Sequence, residues 1–288
     1  MEAGRNVEAV LFREGRTDGS KKKAKRQAAL NRELTLVQRE ELRLKRLAVK
    51  AAVPRWKTEL ESRVPEKLRG SLEAAFVRAF SLVFTHGLGV IERCYDRSGL
   101  EDDHAVLDYA VMVKGSRREL KKLRKNVDRA SLGNMALTTV EGLGLGALGI
   151  GMPDILLFTA LLLKGIYETA LRYGFAYDTP EERLLILKMM ETAMVRGYGY
   201  IQCDTETERL FSNAAPGEGA LRTQLQKTAN AFSMDMLLMK FVQGFPMVGI
   251  LGGAANPVYY RRVMRYVELK YRKRYLLDAA RRSRLAPL

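Results

Sequence analysis

The chain has 288 residues and a formal net charge of +16, and apolar residues make up 47% of it. This length is enough for one large domain or two small ones, and the apolar fraction is typical of a globular protein and too low for a polytopic transporter. Two cysteines, Cys94 and Cys203, exclude a disulfide framework and favour a reducing compartment. The start, MEAGRNVEAVLFREGR, has no apolar secretory core, so we expect a protein on the cytoplasmic side.

The positive charge is concentrated at the two ends of the chain. Residues 1–60 contain 16 Lys/Arg against 8 Asp/Glu, and residues 261–288 contain 10 against 2, whereas the residues between them contain 23 of each. A nucleic-acid enzyme more often spreads basic residues through its body. Basic ends around a neutral, apolar middle favour an anionic membrane surface as the partner, with nucleic acid as the less favoured one.

Residues 1–20 have no hydrophobic periodicity and are predicted to be disordered. Residues 21–60 are predicted to form a basic helix, in which Leu30, Val37 and Leu44 are part of an apolar stripe and the outer face is charged. Pro54 ends or kinks this helix, because a proline ring clashes with the preceding turn.

The middle of the chain reads as further helices without a convincing strand pattern, which predicts an all-α class. The sharpest boundary is Thr179-Pro180-Glu181-Glu182, which combines a capping residue, a proline at the first helical position and acids in the first turn. We therefore expect a helix over residues 180–196.

The stretch GLGLGALGIGMPDILLFTALLLKG, residues 142–165, is almost wholly apolar but carries Pro153 and Asp154 in its middle. A membrane span needs about 20 apolar residues. A central carboxylate costs about 2.5–3.5 kcal/mol on insertion, and repeated glycines weaken a helix. A simple span is therefore disfavoured, whereas a buried core helix or a shallow re-entrant insertion fits better.

A second apolar stretch, FVQGFPMVGILGGAANPVYY at residues 241–260, is uncharged but broken by two prolines. If either stretch inserts, the basic ends are expected to stay cytoplasmic. The two stretches either pack closely through their glycines or form two ordinary loops. The close-packing candidates are Gly142, Gly144, Gly146, Gly249 and Gly252.

The closing segment VYYRRVMRYVELKYRKRYLLDAARRSR predicts a basic helix with tyrosines among its cations. Tyrosine favours membrane–water interfaces, and Lys or Arg near anionic lipid contributes about 1 kcal/mol each. The same cations could bind nucleic-acid phosphates, or the helix has one packed and one solvated face. The lipid-contact candidates are Arg261, Arg262, Arg265, Lys270, Arg272, Lys273 and Arg274.

Asp154 is the sharpest candidate for chemistry. It is either an acid or base in an apolar pocket, with Glu141 and Asn256 as further pocket candidates, or a first-turn acid favoured by the helix dipole. The two histidines, His86 and His104, have no ligand spacing with the cysteines, so no metal site is predicted. The glycine run lacks the lysine and the preceding strand of a phosphate loop, and no cofactor is predicted.

Several segments together resemble the bacterial EcsC protein family. They are Glu41 to Trp56, EGLGLGALGIGMPDILLF, IYETALRYGF, TPEERLLIL, FPMVGILGGAAN and YVELKYRKRYLL, and they cover roughly residues 35–280. The positions that match the family's pattern are Gly142, Gly144, Gly146, Pro153, Asp154, Tyr173, Gly174, Pro246, Gly249, Gly252 and Asn256. The resemblance implies an α-helical fold and a place near the membrane, since the family is named for a gene that accompanies an ABC-transporter operon, but it implies no catalytic residue.

The predicted organisation is a disordered tail at 1–20, a basic helix at 21–60 and one all-α, EcsC-like domain at 61–288. We expect an accessory or scaffold protein, peripheral to or partly inserted in the cytoplasmic face of a bacterial membrane. Its expected partners are anionic lipid and a transporter or envelope protein. The alternatives are a hydrolase-like enzyme with an acidic site around Asp154 and a nucleic-acid-binding protein.

Overall fold

The computed structural model describes residues 2–50, 65–84, 88–128, 152–212, 216–243 and 255–285. Within these ranges the chain is helical and contains no strand, which confirms the all-α prediction. The helices are α1 Glu2–Lys50, α2 Glu66–Leu82, α3 Leu88–Glu92, α4 Arg97–Lys114, α5 at residues 117–128, α6 Met152–Arg172, α7 Pro180–Met194, α8 Tyr198–Arg209, α9 Ala220–Gln243 and α10 Ala255–Leu285, and a short 3₁₀ turn at Leu210–Ser212 follows α8.

Helix α1 begins at Glu2 and so includes the residues for which the sequence predicted disorder. No proline occurs before Pro54, and each residue added to an existing helix forms one more backbone hydrogen bond at little extra cost. Side chains are described in α1 from residue 19 onward. Helix α1 packs along α10. The predicted domain boundary at residue 60 stays a prediction.

Local capping signals define the ends of two helices. The Thr179 hydroxyl accepts a hydrogen bond from the Glu182 backbone N–H at 3.2 Å, so the predicted start of α7 is confirmed. Asp96 caps α4 in the same way by accepting from the Gly99 N–H at 3.0 Å. Helix α4 ends at Gly115, whose φ of 55° lies in the left-handed region that favours glycine.

The centre of the fold is α10, the helix with the basic, tyrosine-rich sequence. It packs against α1, α6 and α7. The Arg26 side chain on α1 donates to Ser283 at 2.8 Å, and Glu40 contacts Arg265 at 2.9 Å, so α1 and α10 run antiparallel. The apolar and aromatic residues of α10 that are buried are Tyr259, Tyr260, Val263, Met264, Tyr266, Val267, Leu269, Tyr271, Tyr275, Leu276, Ala279 and Ala280.

A second part of the core lies where α2, α6 and α9 meet. Phe232 on α9 contacts Phe76 and Phe80 on α2 at ring-centroid distances of 5.6 and 5.8 Å, and Phe158 on α6 at 6.2 Å. These tilted and edge-to-face ring contacts bury large apolar surfaces in favourable geometry. Helix α6, the apolar half of the stretch at 142–165, is therefore a core helix from Ile155 onward.

Two glycines fix the position of α6. A Cβ on Gly165 would lie 2.3 Å from the Tyr260 hydroxyl oxygen, so α6 and α10 approach closely at this point. Gly174, just past the end of α6, has a φ of 78°, and a Cβ there would lie 2.2 Å from His104 Nε2. The His104 ring also contacts the Arg172 carbonyl oxygen through Nδ1 at 3.0 Å, which holds the end of α6 against α4.

Candidate functional site

The predicted acidic site falls at the margin of what the structure describes. Glu141 lies outside the described residues, as do all five close-packing glycines. Asp154 lies in the first turn of α6 and Asn256 in the first turn of α10, but their side chains are not described. The acidic pocket and the glycine packing therefore remain predictions.

Most cations of α10 form ion pairs with carboxylates of the fold. Lys270 is only 1% exposed, and its Nζ lies 2.7 Å from a carboxylate oxygen of each of Glu41, Asp204 and Glu208. Burial lowers the pKa of Lys270, but Asp204 and Glu41 outweigh it, so the pKa is raised above the ordinary lysine value. Lys270 is thus a charged, internal ion-pair partner, which does not fit its predicted role in lipid contact.

The neighbouring Lys273 and Arg274 have the same kind of surroundings. Lys273 contacts Glu41 at 2.9 Å and also Glu208, while Arg274 donates to both carboxylate oxygens of Glu182. Burial raises the pKa of Glu208, but hydrogen bonds from Lys270 and Lys273 outweigh it and lower that pKa to about 2. These cations compensate carboxylates that are half-buried, as for Glu41 and Glu208, or buried, as for Glu182.

The tyrosines of α10 are also internal. Tyr266 donates to Asp204 at 2.6 Å, Tyr271 to Glu182 at 2.7 Å and Tyr275 to Asp108 at 2.8 Å. A tyrosine at a membrane–water interface would have one wet end, whereas each of these hydroxyls is hydrogen-bonded to a carboxylate inside the fold. Tyrosine placement therefore gives no support to a membrane contact by α10.

Ion pairs also join α10 to α1. Glu33, 2% exposed, accepts from Arg117 at 2.8 Å and from Arg272. Burial raises the pKa of Glu33, but the hydrogen bonds from Arg117 and Arg272 outweigh it, and the net pKa is lowered. Farther along, Glu40 contacts Arg265 at 2.9 Å. Of the seven lipid-contact candidates, Arg261 is the one classed as exposed.

This pairing leaves the outer face of α1 positive. Between residues 19 and 50 the acids are Glu33, Glu40 and Glu41, and each contacts a cation of α10. Seven exposed cations follow one another at spacings of three, four or seven residues, which places them on one face of the helix. We call this face the basic stripe, and it consists of Lys21, Lys25, Arg32, Arg39, Arg43, Arg46 and Lys50.

A pocket of about 370 Å³ lies beside the C-terminal part of α1, between α1, α7, α8 and α10. We call it the arginine-rimmed pocket. Its lining is mostly apolar, with four arginines among it. The lining residues are Leu44, Leu47, Ala48, Ala193, Val195, Arg196, Tyr200, Val258, Arg261, Arg262, Arg265 and Tyr266.

Two of its arginines are held in place by one carboxylate. Arg262 lies 2.6 Å and Arg196 3.3 Å from the two oxygens of Asp235 on α9. The Arg262 guanidinium also lies over the Tyr259 ring, 5.4 Å from its centroid. Because two cations share one carboxylate, this group has a positive charge in excess. No sequence pattern indicated the pocket, since its lining comes from four separate helices.

A further buried polar cluster surrounds Lys188, whose Nζ lies 2.9 Å from Glu191 and 2.6 Å from Glu206. Cys203 contacts Glu191 at 3.9 Å. Burial raises the pKa of the Cys203 thiol, and Glu191 raises it further, so the nucleophilic thiolate is disfavoured. We regard the cluster as structural.

Neither a metal-binding cluster nor a membrane-spanning helix occurs among the residues that the structure describes. In these ranges, no group of three or more His, Cys, Asp or Glu side chains could hold a metal ion. None of the helices there is both long and apolar enough to cross a bilayer.

Together these features define an all-α protein with internally paired charges, a basic outer helix and a small pocket that combines apolar and cationic walls. The chain belongs to the EcsC protein family, whose model matches residues 28–276. No match was found among curated proteins or among solved structures.

Proposed function

We propose that the protein is a peripheral membrane-binding protein that attaches to anionic lipid through the basic stripe of α1. The supporting observation is the separation of charge on α1. Its acids between residues 19 and 50 face the cations of α10, whereas the seven cations of the stripe are exposed. The stripe from Lys21 to Lys50 spans about 44 Å at 1.5 Å per residue, so several lipid head groups fit along it.

Exposed leucines favour lipid over nucleic acid as the partner. Leu42 and Leu47 lie on α1 on either side of the stripe and are 53% and 52% exposed. At a bilayer surface such side chains enter the boundary between head groups and acyl chains while the cations attract phosphates. A nucleic-acid backbone provides the phosphates but no apolar layer for the leucines.

Flotation with liposomes tests the proposal. The full chain is mixed with neutral and with anionic vesicles, at low and at high salt, and the bound fraction is measured. We expect binding to anionic vesicles that high salt reverses, because salt screens charge at a surface. No flotation with anionic vesicles would refute the proposal, and retention on DNA without vesicle binding would favour the nucleic-acid alternative.

A pair of variants tests whether vesicle binding depends on the basic stripe itself or only on the net charge of the protein. Arg39→Gln with Arg43→Gln removes two charges from the stripe, and Arg78→Gln with Arg222→Gln removes two exposed charges from α2 and α9. At about 1 kcal/mol per cation, the first variant should bind anionic vesicles roughly 30-fold more weakly. The second should bind within about twofold of the original chain. Equal losses in both variants would contradict a specific role for the stripe.

A further inference from the structure

We infer that the arginine-rimmed pocket binds one anionic amphiphile, with its apolar tail against the pocket wall and its carboxylate or phosphate against Arg196 and Arg262. This is a site for a single molecule, distinct from surface attachment through the basic stripe. It goes beyond the proposed function because the pocket residues and the stripe residues are different side chains.

The apolar wall suits a hydrocarbon tail. Leu44 and Ala48 of α1 line the pocket together with Ala193 near the end of α7 and Val195 just beyond it. Its volume of about 370 Å³ lies within the range of roughly 300–1,000 Å³ that is usual for small-molecule sites. Four arginines and no carboxylate line the pocket, so the lining disfavours a cationic ligand.

The Arg196 and Arg262 pair suits an anionic head group. A guanidinium has five N–H donors, and one carboxylate, Asp235, cannot use all ten donors of the two arginines. Asp235 is buried and so holds both side chains in position before a ligand arrives. The shared carboxylate leaves one positive charge in excess, which a carboxylate or phosphate would compensate.

An anionic amphiphile of this kind has two sources in a cell. The ligand is either a free single-chain amphiphile, such as a fatty acid or lysophosphatidic acid, or one chain and the head group of an anionic phospholipid in a bilayer. Both place an anion at the arginines and a hydrocarbon in the pocket, so the experiment needs one arm for each source.

The first arm uses the fluorescent fatty acid cis-parinaric acid with the full chain in the absence of vesicles. We expect saturable binding at one molecule per chain, and displacement by laurate and by dodecyl phosphate. Dodecyl maltoside has the same chain length and no charge, so it should compete at least tenfold more weakly. The absence of binding by cis-parinaric acid and by dodecyl phosphate, or equal competition by dodecyl maltoside, would overturn the inference.

Variants locate the site. Ala48→Phe fills the pocket and should abolish binding of the probe, whereas Ala28→Phe, an exposed position on the same helix, should leave it unchanged. Arg262→Gln should weaken binding roughly tenfold through the loss of a charged hydrogen bond, and Arg196 still compensates Asp235 in that variant. If Ala48→Phe does not fold, binding of cis-parinaric acid to Arg262→Gln is the remaining test. Unchanged binding in that variant would overturn the inference.

The second arm distinguishes the source of the ligand. Nanodiscs of anionic phospholipid compete with the bound probe if the pocket accepts a bilayer lipid, and do not compete if it accepts only free amphiphiles. Arg39→Gln with Arg43→Gln should weaken vesicle binding but leave cis-parinaric acid binding unchanged. A loss of both in this variant would contradict the separation of the two sites.

Discussion

The two terminal helices have similar charge but opposite surroundings. The first 60 residues and the last 28 each carry a net charge of +8. On α10 most cations contact carboxylates, which come from α1, α4, α7, α8 and α9, whereas on α1 Glu33, Glu40 and Glu41 face inward and the basic stripe faces outward. The difference shows that net charge does not locate a binding surface, because the position of the countercharges decides which cations reach solvent.

The largest effect is expected from Lys270→Met. It leaves Glu41, Asp204 and Glu208 around a neutral side chain, and breaking a buried ion pair costs about 3–5 kcal/mol in free energy of unfolding. Urea unfolding measures the change. Lys50→Met, at an exposed position of α1, is the control and should change stability by less than about 0.5 kcal/mol. A loss below about 1 kcal/mol in Lys270→Met would argue against internal pairing by α10.

Glu33→Gln should have the next largest effect, about 3 kcal/mol of lost stability, since it removes a buried partner from Arg117 and Arg272. Arg117 is partly exposed and regains water, so the loss should be smaller than for Lys270→Met. The matched control is Glu101→Gln, which removes an exposed partner of Arg97 and should cost at most about 1 kcal/mol. Similar losses in both variants would remove the distinction between inner and outer pairs.

Acid should weaken the α10 network gradually. Ion pairs lower the folded-state pKa of Glu33 and Asp108, and that of Glu208 to about 2. Carboxylates have unfolded-state pKa values of about 3.9 to 4.3, so this stabilisation is fully present above about pH 5 and is lost as the pH falls through the folded-state values. Thermal unfolding should show a Tm that is steady from pH 7 to 5 and declines below about pH 4. A steady Tm down to pH 2 would contradict the network.

The smallest effect on stability is expected for the outer cations. Arg39→Gln with Arg43→Gln should change the free energy of unfolding by less than about 0.5 kcal/mol while it weakens vesicle binding. Urea unfolding and flotation are measured on the same preparation. A large loss of stability would place these arginines in the fold and would undermine their use as a lipid-binding surface.

The sequence predicted what is encoded locally. The cap at Thr179 depends on four consecutive residues, and the all-α class depends on periodicity within single helices, so both could be read without partners. The surroundings of α10 could not be predicted from local sequence, because partners such as Glu33 and Arg272 are 239 positions apart. One signal was available: Glu33 and Glu40 are seven residues apart, as are Arg265 and Arg272, which matches two helices that pair over two turns.

The candidate sites also differ in how far the sequence could predict them. The pocket depends on Ala48, Ala193, Tyr200 and Val258 from four helices, and no spacing in the sequence relates them. The charged outer face of α1 was predicted, but Glu40 and Glu41 face α10 instead of that outer face. Their partners Arg265 and Lys270 are 225 and 229 positions away in the sequence, so helical spacing could not reveal them. The predicted site at Glu141, Asp154 and Asn256 stays a prediction.

The position of α10 also has a consequence for synthesis on the ribosome. Residues 255–285 emerge after every other helix described here, yet they supply the partners of Glu33, Glu41 and Glu182. Contacts this distant in sequence form slowly, because a long loop must close first. A nascent chain without α10 therefore keeps these carboxylates unpaired and exposes the apolar helix faces that α10 covers in the folded protein. Exposed apolar surface of this kind favours aggregation until translation has passed residue 285.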